Sequence, residues 1–201
     1  MPEPITLETP RLRLRQWLPQ DRAPFAALNA DPRVMEFFPA VRTRAESDQM
    51  ADICEALIDE RGWGFWAAEL KATQQFIGFV GLHVPSALLP FSPCVEIGWR
   101  LATPYWGQGL ATEAAKAALH FGFHHLGLEE IVSFTAVPNL RSRAVMERLG
   151  MQASGNFEHP QVPEGHVLRL HHLYRLGCKN YAKKPCSAIS ISASSYQKNS
   201  D

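Results

Sequence analysis

The residues with the clearest chemical content lie between Val95 and Glu113, in the run V-E-I-G-W-R-L-A-T-P-Y-W-G-Q-G-L-A-T-E. Gly107 and Gly109 flank Gln108, after Pro104 and directly before an alanine-rich stretch that opens at Leu110. Glycine lets the backbone approach a ligand closely. The first N–H groups of a helix have no intrahelical partner and carry the positive end of the helix dipole. A strand, a glycine turn and a helix start together make a phosphate-binding geometry. A P-loop would need a lysine after the turn, and none follows. A dinucleotide fingerprint would need a small residue where Thr112 stands, and an acid ending the next strand; Glu129 and Glu130 precede that strand.

Histidine and cysteine offer less. His120 and His124 are spaced i,i+4, as two zinc ligands on a helix would be, but no H-E-x-x-H and no third ligand accompany them, so no metal is expected. His171 and His172 are neighbours on a strand and point to opposite sides. The four cysteines, at 54, 94, 178 and 186, form no C-x-x-C pair and carry no Cys/His signature; they read as free thiols of a cytosolic protein. Lys+Arg and Asp+Glu are both 20, without the basic excess of a nucleic-acid binder. No apolar run approaches the length of a membrane span. The start, Met1-Pro2-Glu3-Pro4, lacks a signal-peptide pattern. The expectation is a cytoplasmic chain with neither nucleic-acid nor membrane partners.

The elements that must position the turn follow from periodicity. Leu7 to Trp17 reads as a first strand with Leu12, Leu14 and Gln16 on one side and a solvated face of Arg11, Arg13 and Arg15. Asp21 caps a helix over Ala23 to Asn29. Thr43 and Glu46 form a capping box for a second helix, with Met50, Ile53, Cys54, Leu57 and Ile58 as its apolar face and Gly62 at its end. Between the two helices, Met35, Phe37 and Phe38 read as core, with a substrate groove as the alternative. Strands follow at Gly64 to Leu70 and Phe76 to His83, joined by a turn over Lys71 to Gln75; Pro85 to Pro93 is a connection. In the central strand Val95, Ile97, Trp99 and Leu101 alternate with Glu96, Gly98 and Arg100.

The helix after the turn runs from Leu110 to about His124, with Leu110, Ala114, Ala118 and Phe121 on one face. A strand over Ile131 to Ala136 leads to a helix capped by Asn139 and ending near Leu149, with Gly150 behind it. Gln152 to Phe157 and Val167 to Leu176 complete the sheet. Residues 178–201, rich in lysine and serine, read as a disordered tail after a domain over 1–177. The order suits a mixed α/β sheet of about seven strands and about four helices.

Trp106-Gly107-Gln108-Gly109-Leu110-Ala111 resembles the pyrophosphate loop of the GNAT acetyltransferases, (Q/R)-x-x-G-x-(G/A). Asn139-Leu140-Arg141-Ser142 with Leu149-Gly150-Met151 resembles the family's following helix. Trp106 in the first loop position and the opening T-P-R-L-R-L-R are similar to the RimJ/RimL branch; the resemblance covers about residues 5–176. It implies a mostly antiparallel acyl-CoA N-acyltransferase fold and direct acetyl transfer from acetyl-CoA to an amine, on a peptide N-terminus or a small molecule, by a monomer or homodimer. Backbone from Gly107, Gln108, Gly109, Leu110, Ala111 and Thr112 would hold the pyrophosphate. Trp99, Arg100 and Leu101 would pair with the pantetheine arm, and Asn139 would touch the cofactor.

On the same resemblance Glu96 is the base that takes the amine proton, and Ser142 the donor to the thiolate. Many relatives place a tyrosine four residues beyond Ser142, where this chain has Met146. That departure keeps open a first-turn structural role for Ser142 and, for the whole chain, a non-catalytic acyl-CoA-binding or sensing module. A solvated strand residue or an ion-pair partner is the alternative for Glu96.

Overall fold

The computed structural model describes residues 2–181 and 189–193. Nine strands form a single sheet: β1 (Ile5–Glu8), β2 (Leu12–Arg15), β3 (Phe65–Leu70), β4 (Gln75–His83), β5 (Glu96–Leu101), β6 (Glu130–Ala136), β7 (Gln152–Glu158), β8 (Leu170–Gly177) and β9 (Ser190–Ala193). Their order across the sheet is β7-β8-β6-β5-β4-β3-β2-β1-β9. Helices α1 (Arg22–Ala30) and α2 (Arg44–Arg61) separate β2 from β3; α3 (Leu110–His124) links β5 to β6 and α4 (Leu140–Leu149) links β6 to β7. A single helical turn, α5 (Cys178–Tyr181), follows β8. Every strand pair is antiparallel except β5 with β6. A parallel neighbour requires a crossover, and α3 supplies it.

The nine strands correct the expected seven at two places. The opening strand is a hairpin, because Pro10 has no N–H for a ladder and the Thr9 hydroxyl accepts from the Leu12 N–H at 2.9 Å, closing a turn. Both arms keep the same alternation, so periodicity alone joined them. The second addition, β9, falls in the stretch read as a tail. Ser190, Ile191, Ser192 and Ala193 pair with β1, with Ile191 opposite Leu7, and Ile189 and Ile191 pack on the core. Composition over the whole stretch masked this short period-two segment; residues 182–188 and 194–201 of it lie outside the described residues.

The arginine face of the opening segment is not uniformly wet. Arg13 and Arg11 are partly exposed, but Arg15 is buried, its Nη1 2.6 Å from Asp21 Oδ2 and its Nε 2.7 Å from Glu69 Oε2. Asp21, fully buried, also accepts from the Leu18 N–H at 2.8 Å, so it fixes the chain entering α1 rather than capping the helix through its side chain. In α2 the capping box over Thr43 and Glu46 and the left-handed Gly62 at its end are present. Its buried face runs through Ser47, Ala51, Cys54 and Ile58, and Ile53 is exposed. The two faces of the sheet are distinguished by contacts. Leu82 on β4 meets Gly122 of α3, and its register partner Ile97 shares that face. Arg100, one pleat away, reaches Asn29 of α1 on the other face.

No helix among the described residues is long and apolar enough to cross a membrane. Asp21→Ala leaves Arg15 with Glu69 alone and the Leu18 N–H without its acceptor, and should cost about 1.5–3 kcal/mol in urea unfolding; a loss under about 1 kcal/mol, the range of exposed pairs, would show that Glu69 alone holds Arg15.

Candidate functional site

The site is built where β5 and β6 part. Their ladder has one register pair, Glu96 with Val132. Just beyond it the Ser133 hydroxyl donates to the Ile97 carbonyl at 2.9 Å, and no residue of β6 pairs with Gly98–Leu101. Backbone groups of alternate residues face opposite edges of a strand. Val95 and Ile97 present theirs toward β6, so Trp99 and Leu101 do as well, whereas the Arg100 main chain lies toward β4. The Leu101 carbonyl is taken by Trp106 Nε1 at 2.7 Å. The Trp99 N–H and C=O and the Leu101 N–H thus line the opening. The expectation that Trp99, Arg100 and Leu101 act together through backbone narrows to Trp99 and Leu101.

The opening continues into a cavity of about 1470 Å3. At one end is the glycine turn. Gly107 and Gly109 have φ of 73° and 76°, which a residue with a Cβ adopts only under strain, and Gly109 is the N-cap of α3. The walls there include Gly107, Gly109, Leu110, Ala111 and Thr112. Gln108 is the exception among the sequence-selected residues. Its side chain turns away to the Pro104 carbonyl at 2.8 Å, and its own carbonyl accepts from Arg11 Nη1 at 3.0 Å. Arg11 also pairs with Glu113 in the first turn of α3 at 2.6 Å. Burial alone would raise the Glu113 carboxyl, but hydrogen bonds from Thr9 and Arg11 hold it below its usual value, so its charge is already matched beside the helix start.

α4 closes one flank. Asn139 Oδ1 accepts from the Ser142 N–H at 3.1 Å as an N-cap, and Asn139 Nδ2 donates to Thr135 at 2.9 Å. The Ser142 hydroxyl makes no hydrogen bond among the described residues, and both residues line the cavity. Met146 is core, 1% exposed. The hydroxyl of Tyr174 is held between Arg143 at 3.3 Å and Glu147 at 3.1 Å and is not on the cavity wall. Arg143 and Glu147, four residues apart on α4, meet through this hydroxyl.

Glu96 lies on the cavity wall at the point where the strands diverge. Its carboxyl has neither hydrogen bond nor ion pair among the described residues, and burial raises it to about 7. Nearby, Phe134, His159 and His171 form an aromatic wall, with the two imidazoles 4.9 Å apart. Burial, with His171 close by, pulls His159 down to about 4, so it is neutral at physiological pH.

Several wall residues were not singled out from sequence, or were read otherwise. Phe37 and Phe38 line the cavity rather than the core, while Met35 is core. Arg141 stacks on Trp106 at 4.6 Å and pairs with Glu36 at 2.5 Å, tying the α1–α2 connection to the glycine turn. Arg42 and Arg100 also line the cavity. Among the described residues three buried side-chain polar atoms lack a partner: Arg42 Nε, Arg100 Nε and Asp48 Oδ1, whose other oxygen binds Arg44 at 2.7 Å. These contacts span the chain, and no local pattern signals them.

Among the described residues no group of three or more His, Cys, Asp and Glu side chains could hold a metal; the rings of His120 and His124 simply stack at 4.3 Å. Cys54, Cys94 and Cys178 are free thiols and Cys186 lies outside the described residues. Burial pushes Cys54 up to about 12, far from a reactive thiolate.

Comparison with known proteins agrees with this geometry. Residues 11–152 match the family described as Acetyltransferase (GNAT) domain. The chain is 32% identical over 151 residues to the uncharacterised protein YkkB of Bacillus subtilis (strain 168), covering 74% of this chain and 86% of that one. It is 30% identical over 175 residues to the FsC-acetyl coenzyme A-N(2)-transacetylase of Aspergillus fumigatus, covering 81% and 74%. A solved GNAT acetyltransferase from Bacillus anthracis superposes with a TM-score of 0.72 at 23% identity, over 87% of this chain and 99% of that one. The chain belongs to the GNAT family of acetyltransferases.

Proposed function

We propose that this acetyltransferase, a RimJ/RimL-like member of its family, passes an acetyl group from acetyl-CoA directly to a primary amine, with Glu96 as base and Ser142 as acid. The observation that carries the reading is Glu96: a carboxyl without a partner, on the wall of the cavity whose other end is the glycine turn. The residues present fit the cofactor. Gly107, Gly109 and the first N–H groups of α3 suit a pyrophosphate, and the open edge of β5 at Trp99 and Leu101 suits an amide-bearing arm laid along it. Asn139 at the head of α4 completes the cofactor side.

The chemistry follows from proton demands. An amine must be neutral to attack the thioester carbonyl. For an α-amine near 7.8 deprotonation at pH 7 costs about 1 kcal/mol, against about 4.6 kcal/mol for a lysine near 10.4. A base at about 7 matches the first far better than the second. As the amine nitrogen bonds to the carbonyl carbon its proton passes to Glu96. The carbon–sulfur bond then breaks, and the thiolate takes a proton from the unengaged hydroxyl of Ser142, which regains one from the solvent. The acceptor is a protein N-terminal α-amine or a small-molecule amine of similar basicity.

Two tests separate the cofactor and base assignments. Gly109→Asp places a carboxylate at the helix start, on a left-handed backbone. Calorimetry should register no acetyl-CoA binding by the folded variant, and an unchanged affinity would remove the turn as the phosphate site. Glu96 is inactive as a base while protonated, so besides the limb near 7.8 set by an acceptor α-amine, kcat/KM of the parent should show a Glu96 limb that rises with pH and levels off above about 7. Glu96→Gln should lower kcat/KM by about 100-fold to 10,000-fold and lose that limb. Burial has raised this pKa, so ionising Glu96 costs stability as pH rises through about 7; the variant should be at least as stable as the parent at pH 8. A variant retaining both rate and limb would dismiss Glu96.

A further inference from the structure

We propose that the acceptor carries a carboxylate remote from its reacting amine, and that Arg42 and Arg100 bind that carboxylate. The inference rests on the reading of Glu96 as the base, and it names the class of acceptor.

Arg100 is 8% exposed and yet lines the cavity. Its polar contacts are to neutral groups, Asn29 Oδ1 at 2.6 Å and Met50 Sδ at 3.9 Å. Phe38 lies 4.3 Å and Phe79 5.3 Å from the guanidinium carbon, which holds the group in place without neutralising it. Its Nε has no partner. Arg42, in the connection before α2, makes no side-chain hydrogen bond or ion pair among the described residues, and its Nε is likewise buried and unpartnered. The acid whose charge Arg42 influences is Glu46, which is exposed and engaged by the Thr43 capping box. Both arginines meet Asn29, the Arg42 N–H donating to its carbonyl at 3.0 Å and Arg100 Nη1 to its Oδ1, and the Arg42 charge adds to burial in pulling Arg100 down to about 9.

Buried charges are ordinarily paired. Arg15, a few residues before α1, is the contrast within this chain, with a carboxylate on each side. Both guanidiniums line the cavity with an unpartnered Nε, and each carries the planar set of donors that a carboxylate accepts.

The position selects the acceptor rather than the cofactor. The glycine turn opens α3, whereas Arg100 projects from the opposite face of β5 toward α1 and α2. Glu96 and Arg100 share that face, four residues apart. Their Cα atoms are separated by roughly 13 Å along the strand, and both residues line the cavity. An amine at Glu96 and an anion at Arg100 are therefore opposite ends of one elongated molecule.

Glycine oligopeptides from diglycine to pentaglycine, as free acids and as C-terminal amides, bracket this span without side-chain charge. With acetyl-CoA and constant ionic strength, kcat/KM for the best-fitting free acid should exceed that of its amide by about tenfold to hundredfold. In Arg42→Gln the ratio should fall to near one. Arg100→Met, checked for folding by its thermal transition, should do the same, and Arg42→Gln decides alone if that variant does not fold. Equal rates in every acid–amide pair, a ratio that survives Arg42→Gln, or acetyl-CoA binding with no peptide turned over would each overturn the proposal. So would a fall in acetyl-CoA affinity in Arg42→Gln, which would give the guanidiniums to the cofactor. Failure of the parent to bind acetyl-CoA strikes the acetyl-CoA reading itself, a different outcome.

Discussion

A strand that leaves its neighbour must find other partners for its peptide groups, and the whole site depends on how β5 does so. It is paired along its full length with β4 but with β6 at a single register position. Past that point two carbonyls that β6 leaves unpaired are taken by side chains, Ile97 by Ser133 and Leu101 by Trp106. Between them the main chain of Trp99 is left toward the opening. A fully paired β5 would have no gap for a ligand, and a fully detached one would lose its registration with β4. The two side-chain bonds hold the strand edge open over a short length, with backbone donors and acceptors ready for an extended amide chain.

The crossover that makes β5 and β6 parallel also fixes the second requirement. Because only residues 102–109 separate β5 from α3, the unpaired N–H groups of the helix come to the same end of the cavity as the open strand edge. Gly107 and Gly109 allow the reversal in so few residues, both in the left-handed region. Arg11 reaches over from the opening hairpin to bind both Glu113 and the Gln108 carbonyl. That contact neutralises the one acid in the first turn of α3 and leaves the helix start favourable to an anion.

Local chemistry was legible in the sequence and long-range pairing was not. The glycine turn, the Asn139 and Thr43 caps, the Gly62 and Gly150 ends and the alternation of β5 each depend on neighbours a few residues apart, and they stand where spacing puts them. The opening hairpin was hidden because a turn at Pro10 preserves the alternation on both sides. The strand at Ser190–Ala193 was hidden because its partner, β1, is nearly the whole chain away. Arg15 was read as solvated since alternation reports a face and not what covers it; Asp21 and Glu69 cover it. Phe37 and Phe38 carry the same ambiguity, as a large apolar residue in a connection fits core and cavity wall equally. Gln108 and Arg100 were grouped with their neighbours by motif, and only side-chain direction separates them.

The formal charge of zero conceals the distribution that matters. Around the sheet charges meet in pairs, such as Arg15 with Asp21 and Arg11 with Glu113. On one face of β5 the pairing stops, with a carboxyl at Glu96 and a guanidinium at Arg100 left apart at the two ends of a six-residue strand. They are too far apart to neutralise each other, and burial disfavours the charged form of each. A zwitterionic acceptor would offset both costs at once, its ammonium proton moving to the carboxylate and its anion resting on the cations. A neutral amine would answer only the first. That separation would therefore favour a molecule of matching length and charge, and the selectivity would come from the positions of two side chains rather than from the volume of the cavity.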